Sequence, residues 1–206
     1  MKQIYKKIRD WLRDNIIGKR MRQQLKNREF TIISSDCTGG TVYHDLHKRF
    51  DTPTINLYMN AGDFVKFCKN LKEYVEKPLI ERMDKNMDFP VGTLEDITIY
   101  FVHYKTFEEA REKWNVRKQR IHWENLYFIM NDRNDCSEKI IADFDRLNYK
   151  NKVIFTHKKY SSLKSSYYIS GYDNKKEVGI MTKFLHPFSI KRNYDKFDWV
   201  KWLNGD

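Results

Sequence analysis

The chain has 206 residues, a length that favours one domain with a sizeable core. Its 39 Lys and Arg against 28 Asp and Glu give a net charge of +11, while 15% aromatics with only 8 Gly and 4 Pro exclude disordered, collagenous and low-complexity classes. Three cysteines, at positions 37, 68 and 136 with no CxxC pair, exclude a disulfide framework or zinc ribbon and point to a reducing cytoplasm.

The N-terminal segment stands apart. Residues 1–28 hold ten Lys or Arg against Asp10 and Asp14, so most of the excess charge lies there and little is left on residues 29–206. A nucleic-acid-binding body would spread its basic residues over a folded surface, so nucleic acid is not expected as a partner. Ile4, Ile8, Trp11 and Leu12 share one helical face, which Ile16, Met21 and Leu25 roughly continue, with Gly18 interrupting the middle. Gly18 leaves one helix or two open. A Lys/Arg-rich face opposite Ile, Trp and Leu suits a helix lying on an anionic bilayer. A surface helix packed on the body with solvated charges is the competing reading. No apolar run approaches the roughly 18 residues of a membrane span. The unbroken apolar stretch of a secretory signal is also missing.

From residue 29 the pattern alternates between periods of 2 and 3.6. Residues 30–34 read as a buried strand, followed by the loop Ser35, Asp36, Cys37, Thr38, Gly39, Gly40 and a short helix to about Phe50. A second strand is expected over 53–59, then a helix over 62–76 with Phe64, Phe67, Cys68, Leu71, Tyr74 and Val75 on one face. The stretch 77–96 leaves room for an extra hairpin or edge strand. A third strand is expected over 97–103, then a helix over 106–122 opened by a capping box of Thr106 and Glu109. A fourth strand spans 126–130, a helix carries Ile140, Ile141, Phe144 and Leu147, and a fifth strand spans 152–156. Shorter strands over 167–172 and 178–184 would make a hairpin around Asp173 and Asn174, before a last helix with Phe197, Val200 and Leu203. Helices between short apolar strands imply crossover units. The expected fold is therefore a three-layer α/β domain over 29–206, a mostly parallel sheet flanked by helices, with 1–28 as a basic amphipathic helical extension.

Ligands of such sheets bind outside the carboxyl ends of the strands. Those ends collect Ser34, Ser35, Asp36 and Cys37, then Asn60, His103, Asn131, Asp132 and Arg133, and finally Thr156 and His157. The 35–40 loop is the most suggestive of them. Gly39 and Gly40 allow close approach of a ligand, and the following helix N-terminus favours an anion. The loop is neither a Walker loop nor a GxGxxG fingerprint, and a plain tight turn explains it equally well. Cys37 there is a candidate nucleophile with His103 as its base, expected to be the most reactive of the three cysteines. Against this, Asp36 raises the thiol pKa, and most single cysteines are small buried hydrophobes. Asp132 and its neighbours sit where a nucleotide-sugar transferase would hold Mg2+ or Mn2+, although Asp135 also reads as a helix cap. Asp143 and Asp145 form a DxD only superficially, because they fall in a helix and face solvent. The six histidines lack zinc spacing, so no metal ligand is assigned.

Several stretches together resemble a bacterial domain family of unknown function often encoded in exopolysaccharide and capsule loci. They are 30–34 with Cys37, Thr38, Gly39 and Gly40; 53–57; 63–67; and 103–110 with Lys113, Trp114, Arg117, Arg120 and Trp123. Asp132, Arg133, Cys136 and 151–155 follow, so the resemblance covers roughly 30–203. Family members tend to carry Asn-Asn where this chain has Ser35 and Asp36, and the family has no established catalytic residues to transfer. The resemblance implies a cytoplasmic protein of surface-polysaccharide assembly, a transferase handling an activated sugar or acyl donor. The candidate catalytic set is Cys37, His103 and Asp132, and the candidate ligand-binding set is Ser35, Asp36, Gly39, Gly40, Asn60, Asn131, Arg133 and His157. The alternatives are a non-catalytic adaptor tethered to the membrane through 1–28 and a cysteine-dependent acyl hydrolase.

Overall fold

A computed structural model describes residues 2–205. In chain order the elements are α1 (Lys2–Arg13), a π-helical turn (Asp14–Gly18), α2 (Lys19–Gln24), β1 (Thr31–Ser34), α3 (Thr38–Asp45), α4 (Ala61–Lys69), α5 (Leu71–Glu76), β2 (Ile80–Glu81), β3 (Val91–Leu94) and β4 (Ile97–Tyr100). They continue with α6 (Phe107–Lys118), β5 (Leu126–Asn131), α7 (Glu138–Asp145), β6 (Asn151–Thr156), β7 (Ser166–Tyr168), a 3-10 turn (Asn193–Lys196) and α8 (Trp199–Asn204).

Two sheets form. β1, β5, β6 and β7 make a four-stranded parallel sheet in that order, and β2, β3 and β4 make a smaller antiparallel one. Side chains alternate across the parallel strands, so they feed two separate apolar clusters. Ile33, Phe128, Met130 and Ile154 join Phe64, Phe67, Phe107, Trp114 and Phe144 from α4, α6 and α7. Ile32, Tyr127, Ile129, Val153 and Phe155 join Val42 and Tyr43 of α3 with Tyr194, Trp199 and Leu203. Each large side chain buried in this way contributes about 1.5–3 kcal/mol.

Several expectations change at this level. The segment 53–59 is extended but is not a strand of either sheet. Instead it bridges them: Met59 N donates to Ser35 O at 3.0 Å, and Tyr58 and Tyr100 exchange backbone hydrogen bonds of 2.9 Å while their rings stack. Expected strand 97–103 stops at Tyr100 and pairs antiparallel with β3, so it does not extend the parallel sheet. The hairpin foreseen within 77–96 is present as β2 and β3. The helix expected over 62–76 is broken at Asn70, whose φ of −124° separates α4 from α5. Residues 178–184 are not a strand, and β7 lies parallel to β6 rather than in a hairpin around Asp173. Gly18 keeps helical angles (φ −59°, ψ −45°), so α1, the π turn and α2 are one continuous run. Among the described residues no helix is long and apolar enough to cross a membrane.

α1 attaches to the rest through its polar side. Arg13 is only 3% exposed. Its guanidinium donates to Asp45 Oδ2 at 2.5 Å, to Asp195 Oδ2 at 2.6 Å, to Ile190 O at 2.7 Å and to the Tyr194 hydroxyl. Burial alone would weaken the charge, but hydrogen bonding to Asp195 and Asp45 and the proximity of Tyr194 raise its pKa above the ordinary guanidinium value.

Candidate functional site

The loop after β1 folds as it does because Asp36 begins α3. Its Oδ1 accepts the Thr38 amide at 2.9 Å, an Asx turn at the helix start. Its Oδ2 accepts from Asn131 Nδ2 at 2.8 Å, which ties the ends of β1 and β5 together. The two glycines then part company. A Cβ on Gly39 would lie 2.8 Å from Ser34 Cβ and 2.9 Å from Ile32 Cγ2, so Gly39 is required for α3 to pack against β1. Gly40 faces outward into a cleft.

That cleft has a volume of about 360 Å³ and is lined by Cys37, Gly40, Thr41 and His44 from α3 and its start, by Phe50, Asn56 and His103, and by Thr182 and Arg192. Cys37 and His103 therefore share a cavity. Asn56 reaches it from a left-handed backbone (φ +60°), a conformation that Asn adopts more readily than most residues. No carboxylate lines the cleft. Among the described residues neither the Arg192 guanidinium nor the His103 ring forms a salt bridge, and Arg192 Nε finds no hydrogen-bond acceptor, although the Arg192 backbone amide donates to Asp195 Oδ2 at 2.6 Å. The Arg192 guanidinium lies 4.8 Å from the centroid of the Phe184 ring, and Arg9 lies 3.6 Å from the same ring.

Asp132 is elsewhere. It is buried, and its carboxylate is fully committed: Oδ1 accepts the Val178 amide at 2.7 Å, and Oδ2 accepts the His157 amide at 2.7 Å and pairs with His157 Nδ1 at 2.5 Å. An ionised carboxylate can only accept, so this pair is a latch joining the ends of β5 and β6 to the crossing segment at 178. Asn131, Arg133, His157 and Asn60 likewise do not line the cleft. Arg133 instead pairs with Glu177 at 3.2 Å, and Ser35 is buried beside the β1–β5 ladder with its amide on Ile129 O.

The donor set does not fit a divalent ion at Asn131–Asp135. All four oxygens of Asp36 and Asp132 are already engaged, and no group of three or more His, Cys, Asp or Glu among the described residues is placed to hold a metal. Asp135 is not the cap of α7; Ser137 is, accepting from Ile140 N at 3.3 Å. Asp145 does not face solvent freely, because it accepts from Ser165 N and Oγ at 2.7 and 2.6 Å.

Burial, with Asp36 adding to it, pushes the Cys37 thiol up to about 12, and burial with Asp132 does the same for Cys136, also to about 12. Burial alone raises Cys68 well above its ordinary value. The Cys37 thiol instead donates weakly to Leu57 O at 3.9 Å. Sequence reading passed over Arg192, Thr182, Asn56 and His44. Arg192 and Thr182 sit in an irregular segment whose path over the sheet has no local signal. Chemically, the cleft offers one guanidinium, two imidazoles, two hydroxyls and an amide around a neutral thiol.

Residues 8–204 match the profile of a domain family described as a domain of unknown function, DUF1919. An uncharacterized protein of Haemophilus influenzae is 42% identical over 188 residues, covering 91% of this chain and 90% of the relative. The chain belongs to the DUF1919 family.

Proposed function

We propose that the chain is a transferase of surface-polysaccharide assembly that takes a phosphorylated donor, an activated sugar, in the cleft beside α3. The observation that carries this reading is a cleft with an unpaired guanidinium and two imidazoles but no carboxylate. Phosphate oxygens are the natural partner of an arginine with no counter-ion, since the planar fork matches them bidentately. Thr41, Thr182 and Asn56 supply the hydroxyl and amide groups that sugar hydroxyls require. His103 and His44 are the cleft side chains able to pass a proton to or from a transferred group. The polysaccharide setting comes from the resemblance of the sequence stretches above. The three-layer reading of the fold rests on the two apolar clusters fed by alternate residues of the parallel strands.

Cys37 lines this cleft as a neutral thiol, which counts against the acyl-hydrolase alternative. A non-catalytic adaptor would leave the cleft without a ligand. The test is calorimetric titration with nucleotide-sugars, sugar phosphates and acyl thioesters, repeated on Arg192→Gln and His103→Gln. Binding of a phosphorylated sugar that Arg192→Gln weakens at least about tenfold is the expected result, given the strength of charge-assisted phosphate contacts. Absence of binding across all three classes, or binding indifferent to both substitutions, overturns the proposal.

A further inference from the structure

α1 is amphipathic the wrong way round for a helix packed on a soluble body. Ile4, Ile8 and Trp11 fall on one face by their i, i+4, i+7 spacing, and with Ile16 each is more than half exposed. Trp11 is 63% exposed. The opposite face carries Arg9, stacked on Phe184, and Arg13, buried among Asp45, Asp195 and Tyr194. Surface helices normally bury the apolar stripe and solvate the charges; here the charges hold α1 and its part of the stripe is left uncovered, whereas Met21 and Leu25 further along the run are buried.

A second element flanks the stripe. The segment between Phe184 and Arg192, which form an antiparallel bridge, turns at His186, Pro187 and Phe188. Its tip is fastened to α1: the Tyr5 hydroxyl donates to Pro187 O at 2.5 Å, and the Tyr5 and Phe188 rings meet edge to face at 6.0 Å. Phe188 is 81% exposed and Leu185 is exposed beside it. Two chain segments, 182 residues apart in sequence where Tyr5 meets Pro187, thus present apolar side chains together.

We propose that α1 and the 185–188 turn form one membrane-docking face, and that its occupant is the surface of an anionic lipid bilayer. Charge complementarity selects that occupant. Lys6, Lys7, Lys19, Arg20, Lys183 and Lys191 are exposed on the chain segments that carry the face, and none has a carboxylate partner among the described residues. Asp14, one of two acids in the segment, is already held by Arg22 and His47. A second copy of the chain would bring two strongly basic segments face to face, which like-charge repulsion opposes. The run of α1, the π turn and α2 is too highly charged to cross a bilayer, and no helix among the described residues is long and apolar enough to do so, so the face lies along an interface. Trp11, Tyr5 and Phe188 supply the aromatic groups that settle at headgroup depth. The proposal uses none of the cleft residues except Arg192, which belongs to both through Phe184, so either can fail alone.

The experiment is co-sedimentation of the full chain with phosphatidylcholine vesicles and with vesicles of phosphatidylcholine and phosphatidylglycerol at 3:1 molar composition, alongside tryptophan emission. Expected are binding to the anionic vesicles, a blue shift lost in Trp11→Phe, and abolition of binding in the double variant Ile8→Glu, Trp11→Glu. Phe188→Ser and the pair Lys6→Gln, Lys7→Gln provide independent variants, the lysine pair weakening partition by about tenfold or more. Thermal unfolding confirms that each variant is folded. Absence of binding to anionic vesicles, equal binding to neutral ones, or binding that survives Ile8→Glu with Trp11→Glu overturns the proposal. So does a stable dimer in solution that protects Trp11.

Discussion

α1 and α6 are the same length, 12 residues, and both are rich in Lys and Arg, yet they sit on the body in opposite senses. α6 buries Phe107, Ala110 and Trp114 and turns Glu108, Arg111, Glu112 and Lys113 to solvent. α1 buries Arg13 and turns Ile4, Ile8 and Trp11 outward. Helical periodicity is therefore evidence for a helix and for a stripe, but not for which side of the stripe meets the core. In α6 the stripe stabilises the fold. In α1 it is available to something else, and a buried ionic cluster does the attaching.

Substitutions can break or sharpen this contrast. The largest effects should come from Arg13→Ala and Trp114→Ala. Arg13→Ala leaves Asp45 and Asp195 largely buried without their cation, an expected loss of about 3–5 kcal/mol in urea unfolding. Trp114→Ala empties a site that is 1% exposed and should also cost about 3–5 kcal/mol. An intermediate effect is expected from Thr106→Ala, which removes the hydroxyl that accepts from Glu109 N at 3.2 Å at the start of α6, about 1 kcal/mol by the same assay. Trp11→Ala should be the mildest, within about 0.5 kcal/mol of the native chain, because an exposed side chain leaves no cavity. Were α1 held by its apolar face, the order of Trp11→Ala and Arg13→Ala would reverse.

Much of the fold was legible where local signals suffice. β1, α6 with its Thr106 cap, β5 and β6 carry their own periodicity and boundaries, and the structure has them within a few residues of where the pattern placed them. Strand partnership was not legible, because it is a long-range property. Residues 53–59 and 97–100 have the composition of parallel-sheet strands, but Tyr58 meets Tyr100 and the second run pairs with β3. The site divides the same way. The 35–40 loop announced itself through Asp36, Cys37 and the glycines, and Cys37 and His103 do line one cleft. Asp132 looked available because a carboxylate at a strand end usually is. Its engagement by Val178 and His157, 46 and 25 residues away, has no local trace. Arg13 was invisible for a related reason, since an arginine among other basic residues reads as solvated.

The orientation of α1 is the central claim, and thiol labelling tests it most directly. The native cysteines make a quiet background, since burial holds Cys37 and Cys136 at about 12 and Cys68 higher still. In an Ile8→Cys variant without vesicles, the new thiol should react with iodoacetamide at neutral pH at the rate of a free cysteine. By mass spectrometry it should be the dominant labelled site. An Ile8→Cys thiol as protected as the native three would contradict the account, because it would place the apolar face of α1 against the body.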